Sequence, residues 1–521
     1  MTTAPDNELD TRPEADPPLG LWYASVAYLA FPYILFALGW LNAAAAAWLM
    51  AATVVGAALS AKAMGATATV REHGRRFRWW IPVVLLTIVW TSFSGMGGHG
   101  VQNLMDYAKH NAILGDLVDK DWPVRYDAAV TPNGRPATLV YYVAFYLPAA
   151  AVGKLAGWRA ANETLFAWGT LGAFLAIAWF RRTAGRRGLL VPLLFIFAGG
   201  LDVLGYWMYK GFFPPPLEHL EHWSTGFQYS SITTLLYWVP QHAIAGWLLA
   251  GMLVEEYRAR RSANVAFLTA LSMLWSPMVT IGLLPFALLA AVSGGIRKAL
   301  TFQNLVAAAM IAGITAAFFA PASSQVAGHF IFAWKTELPQ LQLSYLFFVL
   351  LEFGLYAAVM ATFPRTYAPP RERLLRTICL VVLFLLPLYL SGTNNDLTMR
   401  ASIPALFIFW SFVIRAIVDG RRKPDTHPAA IALVLLLCMS AMTAVNEIAW
   451  GAFGSWDDHA AGIRWRNVSR DDVATGGPRT VVRMREDWYI PQYLGSEDSF
   501  FFRYLARRSA EDDSFVRKIA P

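Results

Sequence analysis

Close to its start the chain reads Leu21-Trp-Tyr-Ala-Ser-Val-Ala-Tyr-Leu-Ala-Phe-Pro-Tyr-Ile-Leu-Phe-Ala-Leu-Gly-Trp-Leu41, which is twenty-one residues without a charged side chain. A helix of about 20 apolar residues crosses the hydrocarbon core of a bilayer. Ten more apolar runs follow, at 43–63, 79–98, 160–180, 188–207, 231–254, 302–320, 342–362, 376–391, 401–418 and 428–447. The sequence therefore predicts an all-α polytopic membrane protein.

The composition argues against a soluble protein. Of the 521 residues, 15% are charged and 56% are hydrophobic, whereas about a quarter of the residues in a soluble protein are charged. The net charge of +8 comes from basic clusters between the apolar runs, which indicates membrane topology and no nucleic-acid partner. Cys379 and Cys438 both lie inside apolar runs, so neither a disulfide framework nor a cysteine-rich zinc site is expected.

Two further stretches complete the topology. The stretch 263–293 is interrupted at Trp275-Ser276-Pro277, where proline removes a backbone donor, so we count two short helices that meet there. The tyrosine-rich stretch 138–156 is interpreted as an interfacial or re-entrant helix, because a full span would place the basic loop around Arg181 on the outer side. About thirteen spans result, with a cytoplasmic N-terminus and an extracytoplasmic C-terminus in the cell inner (plasma) membrane.

Basic clusters between spans set this orientation, since cytoplasmic loops carry an excess of Lys and Arg. They are Arg71, Arg75, Arg76 and Arg78; Arg181, Arg182, Arg186 and Arg187; Arg258, Arg260 and Arg261; Arg371, Arg373 and Arg376; and Arg421, Arg422 and Lys423. The predicted division is a disordered cytoplasmic tail at 1–19, a transmembrane domain at 20–447 with outer loops 99–159, 208–230, 321–341 and 391–400, and a small extracytoplasmic C-terminal region at 448–521.

The first outer loop is the strongest candidate for a site. If 104–118 is helical, Asp106, Lys109 and His110 share one face just above the membrane. A carboxylate flanked by cations stays ionised and can act as a base, while the cations hold a phosphate. The alternative is a solvated interfacial helix with ordinary pairs along it. For the other acids of this loop, namely Asp116, Asp119, Asp121 and Asp127, exposed loop positions or helix caps are the favoured interpretation.

A second set of polar residues lies inside predicted spans or at their outer ends, where such side chains are costly and mark function by default. Asp202 is expected to face the same outer cavity as Asp106, and Gln241 and His242 lie in the outer half of their span. For His242 a buried hydrogen bond between helices is an equal alternative. For Glu352, nearer the middle of the membrane, that structural interpretation is favoured.

The third set is Ser391-Gly-Thr-Asn-Asn-Asp-Leu-Thr-Met-Arg400, an outer loop that runs into a span. Arg400, near Asn395 and Asp396, is a candidate phosphate anchor because its planar fork makes two-point contacts. Snorkelling of Arg400 to lipid headgroups is the alternative. His219 and His222 lack a third ligand at a defined spacing, so a solvated loop is favoured and no metal site is predicted.

With these residues in view, the layout of 79–447 resembles the GT-C glycosyltransferases, multispanning enzymes that use polyprenyl-phosphate-linked sugars. The resemblance rests on the long first outer loop with Asp106, on Pro136-Ala-Thr-Leu-Val-Tyr-Tyr142, and on Leu155-Ala-Gly-Trp-Arg-Ala-Ala-Asn-Glu163 leading into a span that ends at Arg181-Arg182. It implies an inverting transfer to an acceptor hydroxyl on the outer face, with Asp106 as general base. It also implies phosphate contacts from Lys109, His110 and Arg400.

Asp106 is followed by Tyr107, whereas protein-mannosylating relatives have an acidic pair at this point, so the acceptor stays open among glycan, lipid and protein. No cofactor is predicted, although a divalent cation is possible because oligosaccharyl-transferring relatives use one. The expected partners are a lipid-linked sugar donor, the acceptor and membrane lipids. Two other functions stay open: a transporter or flippase for a lipid-linked or polar substrate, suggested by Asp202 and Glu352, and a non-catalytic assembly protein.

Overall fold

The structure is a computed structural model. It describes residues 19–65, 80–102, 106–185, 188–224, 226–323, 328–331, 338–392, 395–421, 424–454, 480–483 and 490–508. Several predictions therefore lie outside the described residues: the tail up to residue 18, the arginines of 66–79, Arg186 and Arg187, Arg422 and Lys423, and most of 448–521.

Helices dominate the described part of the chain, as the apolar runs predict. They are α1 (Leu19–Trp40), α2 (Ala43–Gly65), α3 (Ile81–Thr91), α4 (Asp106–Asp119), α5 (Leu147–Ala184), α6 (Leu190–Ile196), α7 (Asp202–Lys210), α8 (Ile232–Trp238), α9 (Pro240–Arg258), α10 (Val265–Ala270), α11 (Pro277–Gly294), α12 (Ile296–Ala299), α13 (Ala308–Ser323), α14 (Leu338–Val349), α15 (Leu355–Ala361), α16 (Pro370–Leu385), α17 (Asp396–Ala401), α18 (Ile403–Gly420) and α19 (His427–Phe453).

Eight helical segments of the described chain are long and apolar enough to cross a membrane. They are Leu19–Trp40, Ala43–Gly65, Leu147–Ala184, Pro277–Gly294, Gln303–Pro321, Leu343–Ala361, Ile403–Gly420 and Pro424–Phe453. Many of their side chains pack inside the bundle, while large apolar side chains such as Trp48 and Leu288 are exposed, as expected of surfaces that face lipid. The protein is therefore an all-α, multi-pass membrane protein.

The predicted span at 188–207 is interrupted. It divides into α6 and α7 around Gly199-Gly200, because two glycines in succession stabilise a helix poorly. The predicted span at 231–254 likewise divides into α8 and α9 at Val239-Pro240, where Pro240 cannot continue the ladder of the preceding helix. Several of the thirteen predicted spans are thus pairs of short helices.

The predicted break at Trp275-Ser276-Pro277 is confirmed. α10 ends at Ala270, and α11 begins at Pro277 with the Ser276 Oγ accepting a hydrogen bond from the Val279 amide at 3.2 Å. Ser276 is thus a side-chain cap for the helix that follows. α10 has only six residues, so it is too short to be a second span by itself.

The prediction of a helix over 138–156 needs a correction in its start. Residues Ala137–Leu139 form a strand and Val143–Phe145 a single 3-10 turn, so α5 begins only at Leu147. Gly157, with φ 84° and ψ −179°, interrupts α5, and this backbone conformation is open to glycine and strained for other residues. A short helix before Gly157 is therefore separate from the long helix after it.

The described basic clusters meet at one end of the bundle. Arg182 Nε donates to Glu255 Oε2 at 2.8 Å, and Arg258 Nη2 donates to Glu372 Oε2 at 2.8 Å. We name this the arginine end, and we name the opposite end, which carries α4, the α4 end. The clusters around residues 182, 258 and 371 thus lie on a common side, as the topology predicts.

Residues from the C-terminal region pack onto the α4 end. The strands β1 (Arg125–Tyr126) and β2 (Ala137–Leu139) pair antiparallel, and β2 also pairs with the last strand, Leu494–Ser496. A second small sheet joins Gly328–Phe330 to Tyr389–Ser391. Phe501 is fully buried against Phe318. Aromatic residues near 500 therefore pack on the membrane domain.

Candidate functional site

The helix predicted at 104–118 is present as α4, and it begins at Asp106. Lys109, one turn further on, forms an ion pair with the Asp106 carboxylate. Tyr107 anchors the start of the helix by donating to the Ser94 carbonyl at 2.6 Å. Burial alone would raise the pKa of Asp106, but the charges of Lys109 and Arg400 outweigh it and lower that pKa. Asp106 is consequently an ionised carboxylate at neutral pH.

His110 lies on the same helix but makes different contacts from those predicted. Its Nε2 donates to the Trp238 carbonyl at 2.9 Å, and its Nδ1 accepts from the Tyr146 hydroxyl. Burial, together with the charge of Lys109, lowers the pKa of His110 to about 4. His110 is therefore neutral with both ring nitrogens occupied, and we do not retain it as a phosphate ligand.

Arg400 reaches the site from the other half of the chain. It lies on α17, where it forms an ion pair with Asp396 one turn earlier, and its side chain is only 13% exposed. Asn395 precedes α17 with φ 55° and donates from Nδ2 to the Gly226 carbonyl at 2.9 Å. Asn395 therefore holds the loop, and Arg400 is directed into the protein, whereas snorkelling would carry its head outward.

His242 connects Arg400 to the break between α10 and α11. Arg400 Nε donates to His242 Nε2 at 3.0 Å, and His242 Nδ1 lies 2.7 Å from Ser276 Oγ. Because Nε2 accepts a hydrogen bond, the ring proton must sit on Nδ1, and Ser276 accepts it. Ser276 thus caps α11 and orients His242, which in turn orients Arg400.

Tyrosines line the space between α4 and α17. The rings of Tyr141 and Tyr142 are 4.6 Å apart, and Tyr493 from the C-terminal region packs on Tyr141 at 5.0 Å. Gln241 Nε2 reaches the Tyr141 hydroxyl at 3.5 Å. The Gln241 Oε1 atom is buried and accepts no hydrogen bond from any residue that the structure describes. An unsatisfied buried acceptor is costly, which indicates a place for a donor group of a ligand.

Asp106, Lys109, Gln241, His242, Asp396 and Arg400 are thus brought together, and Asn395 supports them. Lys109 is close enough to Tyr141 and Tyr493 to interact with them electrostatically, and Arg400 interacts in the same way with Tyr142 and Asp106. Sequence reasoning missed Ser276 and Tyr493 as members. The break at Trp275-Ser276-Pro277 was a usable signal for Ser276, because helix ends inside a bundle leave backbone groups to be satisfied.

Asp202 does not join this cluster, contrary to the prediction that it faces the same cavity as Asp106. Its carboxylate accepts from Trp223 Nε1 at 3.2 Å and from Thr443 Oγ1 at 3.0 Å. It also shares a hydrogen bond with Glu352. All of these side chains are buried. The structural interpretation favoured for Glu352 extends to Asp202, because its carboxylate is occupied by buried partners from other elements.

Two further acidic side chains, Glu221 and Glu447, lie near Asp202. Glu221 accepts from the Ser231 amide at 2.8 Å, and Glu447 accepts from His219 Nδ1 at 3.0 Å and from Trp238 Nε1 at 2.7 Å. His219, with a side chain 10% exposed, is therefore a partner of the buried Glu447, which corrects the prediction of a solvated loop histidine. In the described ranges, no group of three or more His, Cys, Asp or Glu side chains is arranged to hold a metal ion.

Asp116 is a further correction, since an exposed loop acid was favoured there. Asp116 is 2% exposed, and its Oδ2 accepts from Tyr126 at 2.7 Å, Thr480 at 2.9 Å and the Val481 amide at 2.9 Å. Asp116 thus connects α4, the helix that carries Asp106, to the C-terminal segment at Thr480 and Val481.

Comparison of the chain with protein families, with curated proteins and with solved structures found no match.

Proposed function

We propose that the protein is a membrane glycosyltransferase of the GT-C type, which moves a sugar from a polyprenyl-phosphate donor to an acceptor hydroxyl at the α4 end. The observation that carries the proposal is the meeting of a carboxylate, Asp106, with two cations, Lys109 and Arg400, in one largely buried and tyrosine-lined cluster. A membrane-bound sugar phosphate can present its scissile bond only near such an end of a bundle.

The two cations supply what the leaving group requires. As the bond between the sugar C1 and the phosphate oxygen breaks, negative charge collects on the phosphate, and fixed cations in a site that excludes water stabilise it. Arg400 offers a two-point contact, because its guanidinium is held by His242 and Asp396. Lys109, which also pairs with Asp106, adds a second positive charge to the cluster. One monoester phosphate is thus matched without requiring a metal ion.

Asp106 acts as the general base for the acceptor hydroxyl. The acceptor oxygen forms the new bond to C1 from the face opposite the phosphate, and its proton passes to the Asp106 carboxylate while polyprenyl phosphate leaves with the bond electrons. A low pKa makes Asp106 a weak base but keeps it ionised. Proton transfer then comes late, when the attacking hydroxyl has become acidic through its partial bond to C1.

The buried amide and the tyrosines can hold the sugar rings. Gln241 Oε1 accepts no hydrogen bond from the residues that the structure describes, so it can accept one from a sugar hydroxyl. Aromatic faces such as those of Tyr141 and Tyr142 stack on apolar sugar faces. These contacts favour glycosyl transfer over a flippase, which would require polar residues on a path to the arginine end. In the described part of the bundle the interior is mainly an apolar cluster with hydroxyl and amide side chains scattered through it.

The decisive experiment incubates the purified protein with a panel of polyprenyl-phosphate sugars and measures donor consumption. Asp106→Asn should lower the rate about 10²- to 10⁴-fold. Asp119→Asn is the matched control, because Asp119 lies on the same helix and is exposed, and it should leave the rate unchanged. Undiminished transfer by a well-folded Asp106→Asn protein would refute the role of Asp106. Consumption of no donor, together with ligand-driven labelling changes at the arginine end, would favour transport.

The proposed location is the plasma membrane, with the α4 end outside. Single cysteines at Asn133, on the exposed side of the first loop, and at Arg297, at the arginine end, test it in a Cys438→Ser background. An impermeant maleimide applied to intact cells should label the cysteine at 133 and not the one at 297. The reverse pattern would overturn the orientation.

A further inference from the structure

Glu447 is an acidic side chain inside a membrane-spanning helix, and the proposed transfer does not use it. It lies on α19 and is 2% exposed. Both of its carboxylate oxygens are occupied, since Oε1 accepts from His219 Nδ1 at 3.0 Å and Oε2 accepts from Trp238 Nε1 at 2.7 Å. Acidic side chains inside membrane-spanning helices are costly and mark functional positions by default. The role of Glu447 must therefore be sought in the side chains that it holds.

Trp238 is held by Glu447 at the break between α8 and α9. It is the last residue of α8, and Pro240, the first residue of α9, has no amide hydrogen. The ring of His219 lies 4.3 Å from the ring of Trp238, and Trp450 packs on it edge-on at 5.7 Å. The indole is thus fixed by one hydrogen bond and by two neighbouring rings.

The same break opens the Trp238 carbonyl to another helix. In an unbroken helix this carbonyl would accept from the amide of His242, but that amide donates to the Val239 carbonyl at 3.0 Å. The Trp238 carbonyl accepts instead from His110 Nε2 at 2.9 Å. His110 lies on α4, one turn after Asp106. Trp238 therefore connects the α19 carboxylate to the helix that carries the proposed general base.

The two sides of the candidate site depend on different supports. Arg400 is held by its bonds to His242 and Asp396. On the other side, α4 is held at its start by the hydroxyl of Tyr107 and one turn later by His110. Because only the second of these sides is bonded to Trp238, loss of the α19 carboxylate should loosen α4 and leave Arg400 in place.

We propose that Glu447 is a positioning residue, which acts through Trp238 and His110 to hold Asp106 in place relative to Arg400. This inference rests on the transfer proposed for the α4 end, and it assigns a role there to an acid that lies outside the cluster. A displacement of about 1 Å at a reacting group can slow a reaction about 10²-fold even when the altered residue is remote. Glu447 thus contributes to the rate of transfer more than to donor binding.

The test compares Glu447→Gln with Asp202→Asn in the full-length protein in nanodiscs. Asp202 is the matched control, because it is likewise a buried acid that accepts from a tryptophan Nε1, but its bonds lead to Trp223 and Thr443. Hydrogen–deuterium exchange in peptides that cover α4 should become about tenfold faster in Glu447→Gln. In Asp202→Asn the exchange in these peptides should equal that of wild type.

Transfer is measured on the same samples. In Glu447→Gln, kcat should fall about tenfold, whereas the KM for the donor should change less than about twofold, because Arg400 and Gln241 stay in place. Trp238→Phe removes the Nε1 donor and keeps the carbonyl that His110 uses. It should show the same split between kcat and KM with a smaller loss, so it keeps the test valid if Glu447→Gln folds poorly.

The other outcomes separate this proposal from the proposed function. Unchanged exchange in α4 of Glu447→Gln would overturn it, and so would an equal increase in Asp202→Asn, which would indicate a general loosening of the bundle. Faster exchange in α4 with an unchanged kcat would also overturn it. If the wild-type protein consumes no donor, the proposed transfer fails, while the exchange in α4 still decides whether Glu447 positions that helix.

Discussion

The arginine end and the α4 end both bury charge, but they pair it differently. At the arginine end the pairs cross between helices, as in Arg182 with Glu255 and Arg258 with Glu372. At the α4 end each cation pairs along its own helix, since Lys109 meets Asp106 three residues earlier and Arg400 meets Asp396 four residues earlier. In the first arrangement the ion pairs link helices. In the second the ion pairs stay within one helix, and the His242 ring joins Arg400 to α9.

This difference distinguishes ion pairs that stabilise the fold from charged residues that are candidates for binding a ligand. A pair along one helix contributes only about 0.2–0.5 kcal/mol, which is little return for removing charged groups from water. Lys109 and Arg400 are nevertheless 10% and 13% exposed. Ion pairs that are largely removed from water without linking helices are more simply explained if the cations bind a ligand, and perturbed charges of this kind concentrate at functional sites.

The largest effect is expected from Arg400→Gln. It removes a charge that faces the leaving phosphate, so kcat/KM for transfer should fall about 10³-fold. The midpoint of thermal unfolding in detergent should fall less than in Arg258→Gln, because the lost ion pair lies within α17 and a single hydrogen bond, to His242, is lost between helices. A large loss of stability with unchanged kcat/KM would erase the distinction between the two ends.

Arg258→Gln should show the opposite pattern. It leaves Glu372 without its two-point partner and removes a bond from Arg258 to the Thr183 carbonyl, so the free energy of unfolding should fall by about 3 kcal/mol. Denaturant titration measures it, and kcat should stay near wild type in the folded fraction. The double variant Arg258→Gln/Glu372→Gln should recover part of the loss. Additive losses would show that the pair is not the cause.

The pH dependence of stability should sharpen the comparison. Burial and the charge of Asp202 raise the pKa of Glu221 to about 7, so the folded protein holds a proton that the unfolded chain has released. Stability should therefore fall by about 2 kcal/mol between pH 5.5 and 7 and then level off. The raised pKa of His219, set by Glu447 against burial, acts in the same direction. In Glu221→Gln the fall should be smaller, and an unchanged slope would contradict the assignment.

The smallest effect is expected from Thr480→Ala. It deletes one of the three hydrogen bonds to Asp116, at a cost of about 1 kcal/mol. Protease sensitivity near residue 480 should rise while transfer by intact protein persists. Val482→Ala, which removes apolar contact and no bond to Asp116, serves as a comparison. Protease sensitivity equal to wild type would mean that Asp116 does not retain this segment.

Residues that depend on one helix alone were the most predictable. The 3.6-residue period puts Asp106 and Lys109 on one face, and Pro277 imposes the break before α11. Contacts between distant segments were not predictable, because an apolar run records that a side chain is buried and not which helix covers it. The sequence therefore misassigned Asp202 and Asp116. It also missed that Tyr493 packs on Tyr141. The glycosyl transfer stays a prediction.

The pairing of β2 with Leu494–Ser496 has a consequence for biosynthesis. Thr138 Oγ1 donates to the Gly495 carbonyl, 357 residues further along the chain. Tyr141, which lines the candidate site, lies two residues after the end of this strand. During synthesis the first loop therefore lacks its strand partner until Leu494–Ser496 has been made. A chain released before this segment is made should insert its helices into the membrane without completing the candidate site, because Tyr493 would be missing from it.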